Sequence, residues 1–505
     1  MNTLVAALDC GTTALKAAVF DLYGRTRGIV SRPCPVVHRP GGRIEHDPRA
    51  LMGAACAALR GALARSGAAP AQVAALSLCT QRATLVCADR HGQAIGRAIS
   101  WQDLRGAGQI AALRRRIGDA AYYRITGLPN HPVFSLGKML WVQHEASVTR
   151  KPARFALVHD YLLRELGCGD FFCDWSNASL TGLLDVAALR WSPEILALTG
   201  IKESQLPTLV PPGQPVGRLS REAARRTGLL AGTPLMAGGG DQQCAGLGAG
   251  AVAPGVVEIT LGTAAVPLVY SERVARDPRR RVTCCAHAVP GRWEVEGLQN
   301  AAGASLEWLR EVFDGPGRFG KEEFAAVARV RPGAGGILYY PYLTGSAAPH
   351  WDPQATGMLL GLRRDHDRAA LVRAVMEGVS LETREILDVF ASLKIPIREV
   401  RLTGGCTRIE VWNQMQADIF DKPVCTLETE EASLLGAAIL AASGAGAFRS
   451  IAAAVKQMVR VKTVYRPRAA NVAAYAGVYR RYREVHRDFQ QRGTFAKIAA
   501  GKEDV

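Results

Sequence analysis

The sequence predicts an α/β protein of two domains with a cleft between them. Three observations carry this prediction. The chain has 505 residues, more than one hydrophobic core usually supports. Short strand patterns alternate with helical ones along most of its length. A strand, polar turn and strand around Asp9 return about 250 positions later around Gly262, which argues for a duplicated framework.

In the first half, Val5 to Leu8 reads as a strand, Asp9-Cys10-Gly11-Thr12-Thr13 as a tight turn, Lys16 to Asp21 as the second strand and Gly28 to Val37 as the third. Asp-x-Gly-Thr-Thr between two strands suits a phosphate. Gly11 lets backbone N–H groups face an anion, and the hydroxyls of Thr12 and Thr13 add donors. Asp9 suits a hydrated magnesium ion. The plain alternative is a β-hairpin with a polar turn. Asp47-Pro48 caps and opens a helix through Leu63. Val73 to Leu78 is a strand ending in Cys79-Thr80-Gln81-Arg82, and Ala83 to Ala88 is another. With Trp101 and Asp103, these polar strand ends suit a polyhydroxylated ligand; the alternative is surface turns around a core tryptophan. Ser135 to His144 and Asp160 to Leu163 read as helices, and Asp174 to Ser179 as a polar, cap-rich loop.

The organising stretch is Pro234 to Gln243. Pro234 to Ala237 reads as a buried strand. Gly238, Gly239 and Gly240 let the backbone turn sharply, and Asp241 then stands at the strand's end, where α/β folds place chemistry. The alternative is an ordinary turn with a solvated aspartate. The domain boundary falls near Gly248 to Pro254. Val256 to Leu261, the turn Gly262-Thr263-Ala264-Ala265 and Val266 to Tyr270 then repeat the first hairpin without its aspartate, which suggests a nucleotide between the halves. Gly303 opens a helix, Gly333 to Tyr340 is a strand, and Ala369 to Phe390 is a long amphipathic helix. Val400 to Leu402 ends in Thr403-Gly404-Gly405, whose glycines permit a flat base or ribose to approach. An Ala-rich helix, Glu431 to Ala442, packs tightly through Gly436. A last helix, Asn471 to Phe489, docks on the body, and Gly501 to Val505 is expected to be disordered.

The net charge of +17 comes with short, scattered basic clusters, not interleaved with aromatics, and with no nucleic-acid motif. No nucleic-acid partner is expected. No apolar run reaches the roughly 18 residues of a membrane helix, so no membrane is expected either. The twelve cysteines form no Cys-x-x-Cys pair and sit mostly in apolar contexts, which points to a reducing cytoplasm.

In this order, the phosphate hairpin, the Gly-Gly-Gly-Asp-Gln-Gln strand end, the second hairpin and Thr-Gly-Gly resemble the FGGY family of carbohydrate kinases, from Leu4 to about Ala442. Lys138-Met139-Leu140-Trp141 resembles one family signature. Gly357 to Leu362 with Ala374 to Glu377 resembles the other. Val133 and Ala370 stand where the usual patterns want other residue types. Glu45 to Pro48, Cys285 to Trp293, Tyr340 to Gly345 and Pro349 to Pro353 look most like xylulokinases. Gln81-Arg82-Ala83 does not, because xylulokinases usually show Gln-Met-His there and glycerol kinases Gln-Arg-Glu.

The resemblance implies two actin-like ATPase (ribonuclease H-like) domains, 1–247 and 248–465, followed by a C-terminal helix and tail, 466–505. It implies an ATP-dependent kinase for a small sugar, with D-xylulose favoured by the scaffold. Asp241 would be the general base. Gln81, Arg82, Trp101, Asp103, Asp241 and Gln242 would bind the sugar. Asp9, Gly11, Thr12, Thr13, Lys16, Gly262, Thr263, Gly303, Gly404, Gly405 and Asn413 would bind ATP, with Mg²⁺ on Asp9. Other acceptors stay open (ribulose, another ketose or polyol, a signalling sugar), as does a non-catalytic ATP-dependent switch. A homodimer also stays open, since no stretch marks an interface.

Overall fold

The computed structural model describes residues 3–145, 151–314 and 319–500; the tail expected to be disordered lies outside them. Two mixed sheets dominate. The first contains β1 (Leu4–Cys10), β2 (Ala14–Asp21), β3 (Thr26–Pro33), β4 (Val73–Thr80), β5 (Pro215–Arg218) and β6 (Pro234–Gly240), in the order β5-β6-β4-β1-β2-β3. β1 runs antiparallel to β2 and parallel to β4, and β4 runs parallel to β6. Both faces of β1 are buried, as such a central strand requires. Leu4, Ala6 and Leu8 pack in one cluster with Leu51, Ala55 and Leu59 of helix α1 (Pro48–Ser66), while Val5 and Ala7 belong to another. Asp47 caps α1 by accepting from the backbone N–H groups of Arg49 and Ala50.

Helix α2 (Asp241–Ala249) leads into the second sheet. Its strands are β7 (Gly255–Leu261), β8 (Ala265–Ser271), β9 (Thr283–Ala286), β10 (Trp293–Glu296), β11 (Ile397–Thr403), β12 (Val424–Leu427) and β13 (Val461–Tyr465), in the order β9-β10-β8-β7-β11-β12-β13. β7 repeats the role of β1, antiparallel to β8 and parallel to β11. Helices α3 (Gly303–Asp314), α4 (Arg368–Ser392) and α5 (Glu410–Phe420) contribute buried apolar side chains to this sheet's core. Helix α6 (Ala432–Gly444) comes from the second half of the sequence yet packs on the first sheet. Its Leu434, Leu435, Ala438 and Ile439 cluster with Val5, Ala7, Phe20 and Ala75. A Cβ on Gly436 would strike the Cys244 backbone, and one on Gly248 would strike Ala432, so these glycines let α2 and α6 cross closely. Helix α7 (Ala469–Gln491) docks through Tyr475, Val478, Tyr479 and Tyr482.

Four local expectations are corrected. The strand expected over Gly28 to Val37 is two, β3 and Val36–Arg39, in different sheets; Pro33 and Pro35 cannot donate to a continuous ladder. The strand expected from Ala83 begins at Leu85, because Ala83 has φ +59°. Asp174 to Ser179 is not a loop but a short helix, Trp175–Ser179, that Asp174 caps. The strand expected from Gly333 is only Leu338–Tyr340, since Gly333, Gly335 and Gly336 all have positive φ. Among the described residues, no helix is long and apolar enough to cross a membrane.

Candidate active site

Register builds the site. Asp9 of β1 and Gly239 of β6 both pair with Cys79 of β4, and Gly240 pairs with Thr80. Three parallel strands therefore end at one level. Asp9, the Gln81-Arg82 pair and Asp241 all emerge from that edge.

Asp241 is the first residue of α2. The glycines before it do not make the expected turn. They complete β6, with no positive φ among them, and Gly240 lies at φ −62°, ψ 152°. Their role is close approach: a Cβ on Gly238 would strike the Leu78 backbone, and one on Gly240 would strike the Arg82 side chain. A buried polar shelf fixes their backbone. Gly238 N–H donates to His159 Nε2 at 3.3 Å and Gly240 N–H to Ser176 Oγ at 2.9 Å. Asp174 in turn accepts from the Ser176 hydroxyl and from Asn177. Asp241 is thus delivered by a rigid strand end, with a quarter of its side chain open. Burial raises its carboxyl above the ordinary 3.8, and Arg82, with Nε 3.7 Å from Oδ1, partly opposes that rise.

Asp9 Oδ1 is buried without a hydrogen-bond partner. Burial, with the negative charge of Asp241 second, pushes this carboxyl up to about 7. A carboxylate short of positive charge, beside a second carboxylate, fits a hydrated Mg²⁺, which one or two carboxylates and phosphate oxygens typically hold. Beyond Asp9, the Gly11 N–H closes the turn onto the Ala14 carbonyl at 3.1 Å. Thr12 Oγ1 accepts from Trp101 Nε1 at 2.9 Å, which ties the tryptophan to the Gly11-Thr12-Thr13 turn. Thr13 is exposed.

Lys16 does not point freely at this turn. Its ammonium sits 2.7 Å from both carboxylate oxygens of Glu431, just before α6. Asp103, expected to bind sugar, has no capacity left. Its two oxygens accept from Arg105 Nε, Nη2 and backbone N–H and from Ile44 N–H, and its side chain is 1% exposed. It braces Arg105, which also reaches Glu45 at 2.9 Å.

The unpaired buried polar atoms lie elsewhere. Gln81 Nε2, Arg82 Nη1 and Gln242 Oε1 all lack partners. An orphaned buried polar atom in a native fold calls for a ligand or water, and these three flank Asp241 in sequence or register. Sequence reasoning missed three acidic residues here. Glu296 of β10 accepts from Arg82 Nη2 at 2.9 and 2.7 Å. Glu294, two residues before it and so on the same face, accepts from Gln243 Nε2. Glu258 of β7 accepts from Thr403 at 2.7 Å and Thr260 at 2.8 Å, with burial pushing it up to about 8. The available signal was the alternation Trp-Glu-Val-Glu: two acids on one face of a buried strand need a stated reason.

The second hairpin converges differently. Gly262 N–H closes its turn on the Ala264 carbonyl at 3.0 Å, and Gly303 N–H donates to the Gly262 carbonyl at 2.8 Å. Gly404 has φ +85°, and a Cβ there would meet the Leu261 carbonyl at 2.7 Å. Gly303 and Gly404 therefore serve backbone packing, whereas Gly405 faces open space and Thr263 is exposed. Asn413 donates to the Thr407 carbonyl at 2.7 Å and so braces the loop after Gly405. Both signature stretches are structural too. Lys138 is buried and donates to the Val133 carbonyl at 2.7 Å, and Glu377 accepts from Arg373 and Tyr475.

Two family descriptions match this arrangement: "FGGY family of carbohydrate kinases, N-terminal domain" over residues 4–248 and the C-terminal domain of the same family over 257–445. The chain belongs to the FGGY family of carbohydrate kinases. It is 32% identical over 486 residues to a xylulose kinase of Bacillus subtilis, spanning 95% of this chain and 96% of that one. It is 34% identical over 456 residues to a glycerol kinase of Trichlorobacter lovleyi, spanning 88% and 90%. The crystal structure of a xylulose kinase from Rhodospirillum rubrum superposes with TM-score 0.88 at 28% identity, covering 98% of this chain and all of that one. The fold is the two-domain actin-like ATPase fold, and the chain is an FGGY phosphotransferase with an alcohol group as acceptor and ATP as phosphate donor.

Proposed function

We propose that this FGGY kinase acts on D-xylulose, moving the γ-phosphate of ATP to a sugar hydroxyl to give D-xylulose 5-phosphate. The observation that carries the reading is the strand-end edge itself. A partly open Asp241 and a buried Asp9 sit together, flanked by unpaired donors and acceptors on Gln81, Arg82 and Gln242. Phosphoryl transfer through a loose transition state needs positioning and charge neutralisation more than covalent chemistry. Asp241 takes the hydroxyl proton as the sugar oxygen attacks, a role its raised carboxyl suits better than an ordinary aspartate would. Asp9 would hold Mg²⁺, which supplies charge neutralisation on the phosphate oxygens. Gly11, Thr12 and Thr13 cradle phosphates from the first domain, 1–247. Gly262, Thr263 and the open face of Gly405 receive the nucleotide from the second, 248–465.

Full-length likeness to a xylulose kinase supports D-xylulose. Glycerol is the second reading, favoured by Gln81-Arg82 and by the 34% identical relative, and disfavoured by Ala83, which lacks a carboxylate. The twelve free thiols suit a reducing cytoplasm.

A coupled ADP-release assay with Mg-ATP across D-xylulose, L-xylulose, D- and L-ribulose, glycerol, erythritol and D-fructose tests the proposal. Highest kcat/KM on D-xylulose supports it. A higher value on any other acceptor replaces D-xylulose with that compound.

A further inference from the structure

We propose that Glu296 is a specificity-determining residue, occupying the fork of Arg82 and so reserving the acceptor pocket for uncharged sugars and polyols over sugar acids. The inference rests on the kinase reading above, with Arg82 beside the acceptor.

A guanidinium in a sugar pocket is a natural receptor for a carboxylate, which it grips with two parallel N–H bonds. Here that grip is already taken. Arg82 is 7% exposed. Its Nη2 donates to both oxygens of Glu296 at 2.9 and 2.7 Å, and its Nε faces Asp241 at 3.7 Å. Nη1 lacks a partner, and Nη2, held by Glu296, belongs to both two-nitrogen edges of the guanidinium, Nε/Nη2 and Nη1/Nη2. The free Nη1 can serve a hydroxyl or carbonyl oxygen. It cannot form the two-bond clamp that an aldonate carboxylate would need.

Charge argues the same way. One guanidinium faces the carboxylates of both Glu296 and Asp241. An incoming carboxylate would meet a surplus of like charge, which disfavours an ion without affecting a neutral ketose. Glu296 is itself well fixed. Its strand is buried, its carbonyl accepts from the Thr283 hydroxyl at 3.2 Å, and Gln243 Nε2 lies 3.5 Å from its carboxylate. The pair also joins the two halves of the chain, with Arg82 following β4 and Glu296 ending β10.

The test compares kcat and KM for D-xylulose, glycerol and D-gluconate in the wild type, Glu296→Gln and Glu296→Asp. The wild type is expected to favour both neutral acceptors over D-gluconate. Glu296→Gln keeps the shape but removes the negative charge and one of the two oxygens that hold Arg82 Nη2, so the D-gluconate to D-xylulose ratio of kcat/KM rises about tenfold or more, chiefly through a lower KM for D-gluconate. Glu296→Asp keeps the carboxylate and restores the wild-type ratio. A folded Glu296→Gln protein with an unchanged ratio overturns the inference and leaves the kinase reading standing. A wild type that prefers D-gluconate also overturns it. A wild type with no acceptor-dependent turnover overturns both. Should Glu296→Gln fail to fold, Arg82→Lys decides: it removes the fork and keeps the charge. An unchanged ratio supports the proposal, and a tenfold fall in the D-gluconate ratio shows that the fork was gripping carboxylates and overturns it.

Discussion

The two hairpins share a backbone plan and differ in what they carry. β1–β2 and β7–β8 are both antiparallel pairs with a parallel neighbour, and in both the turn glycine bonds across to a carbonyl within three residues. The first turn ends its strand with Asp9, adds two hydroxyls and is tied to Trp101. The second has no acid at its strand end. Its neighbours Gly303 and Gly404 are pressed against its backbone, and its buried acid, Glu258, is engaged by two threonine hydroxyls. Duplicated scaffolding therefore does not mean duplicated chemistry. The first hairpin is equipped to hold charge and the second to hold shape.

Substitutions can break that contrast. Asp9→Asn should have the largest effect, lowering turnover on the order of 10³-fold, because the Mg²⁺ proposed for this carboxylate would contribute several kcal/mol of charge stabilisation. The same variant should be more stable than the wild type without metal at high pH. The Asp9 carboxyl is raised from 3.8 to about 7, so its contribution to stability is fully present below about pH 4 and is lost as pH rises through 7. At pH 8 the asparagine, always neutral, should melt about 2–4 °C higher, and the gap should close by pH 4. Melting curves from pH 4 to 8, with and without Mg²⁺, read both effects. A wild type that melts higher at pH 8 without metal would contradict them.

Gly404→Ala should come next. The left-handed φ and the Leu261 carbonyl penalise any side chain, at roughly 1–3 kcal/mol. KM for ATP should rise while KM for the sugar stays put, and an unchanged ATP KM would remove Gly404 from the nucleotide side. Thr12→Val should be smaller, raising the ATP dissociation constant roughly three- to tenfold through one lost donor. Because it also removes the acceptor for Trp101, it should raise the sugar KM as well. The matching Thr263→Val should leave the sugar KM alone. Titration calorimetry with a nucleotide analogue and sugar saturation curves separate the two. Equal effects on the sugar would erase the asymmetry between the hairpins.

Much of the scaffold was legible because local signals agree. Asp47-Pro48 caps a helix, the α4 pattern repeats at helical spacing, and the strand-end acids Asp9 and Asp241 stand at one edge of the first sheet. What the sequence hid is tertiary. Arg82 and Glu296 are 214 positions apart, and Lys16 and Glu431 are 415 apart; no periodicity links such partners. Asp103 was misread although its partner, Arg105, lies two residues away, because a short ion pair in a turn looks from sequence like a ligand-binding pair. Gly238 to Gly240 were misread as a turn because close strand packing and φ > 0 call for the same residue. Helix α6 shows the limit of reading domains by order alone, since its Ala-rich face gives no sign of which sheet it covers.

The most direct test of the account is sugar-dependent ADP release by the wild type and Asp241→Asn, measured with nucleotide affinity in the same samples. The variant should bind ATP as before and turn over about 10²–10⁴-fold more slowly. Wild-type turnover in Asp241→Asn, or wild-type ATP hydrolysis indifferent to every acceptor, would contradict it.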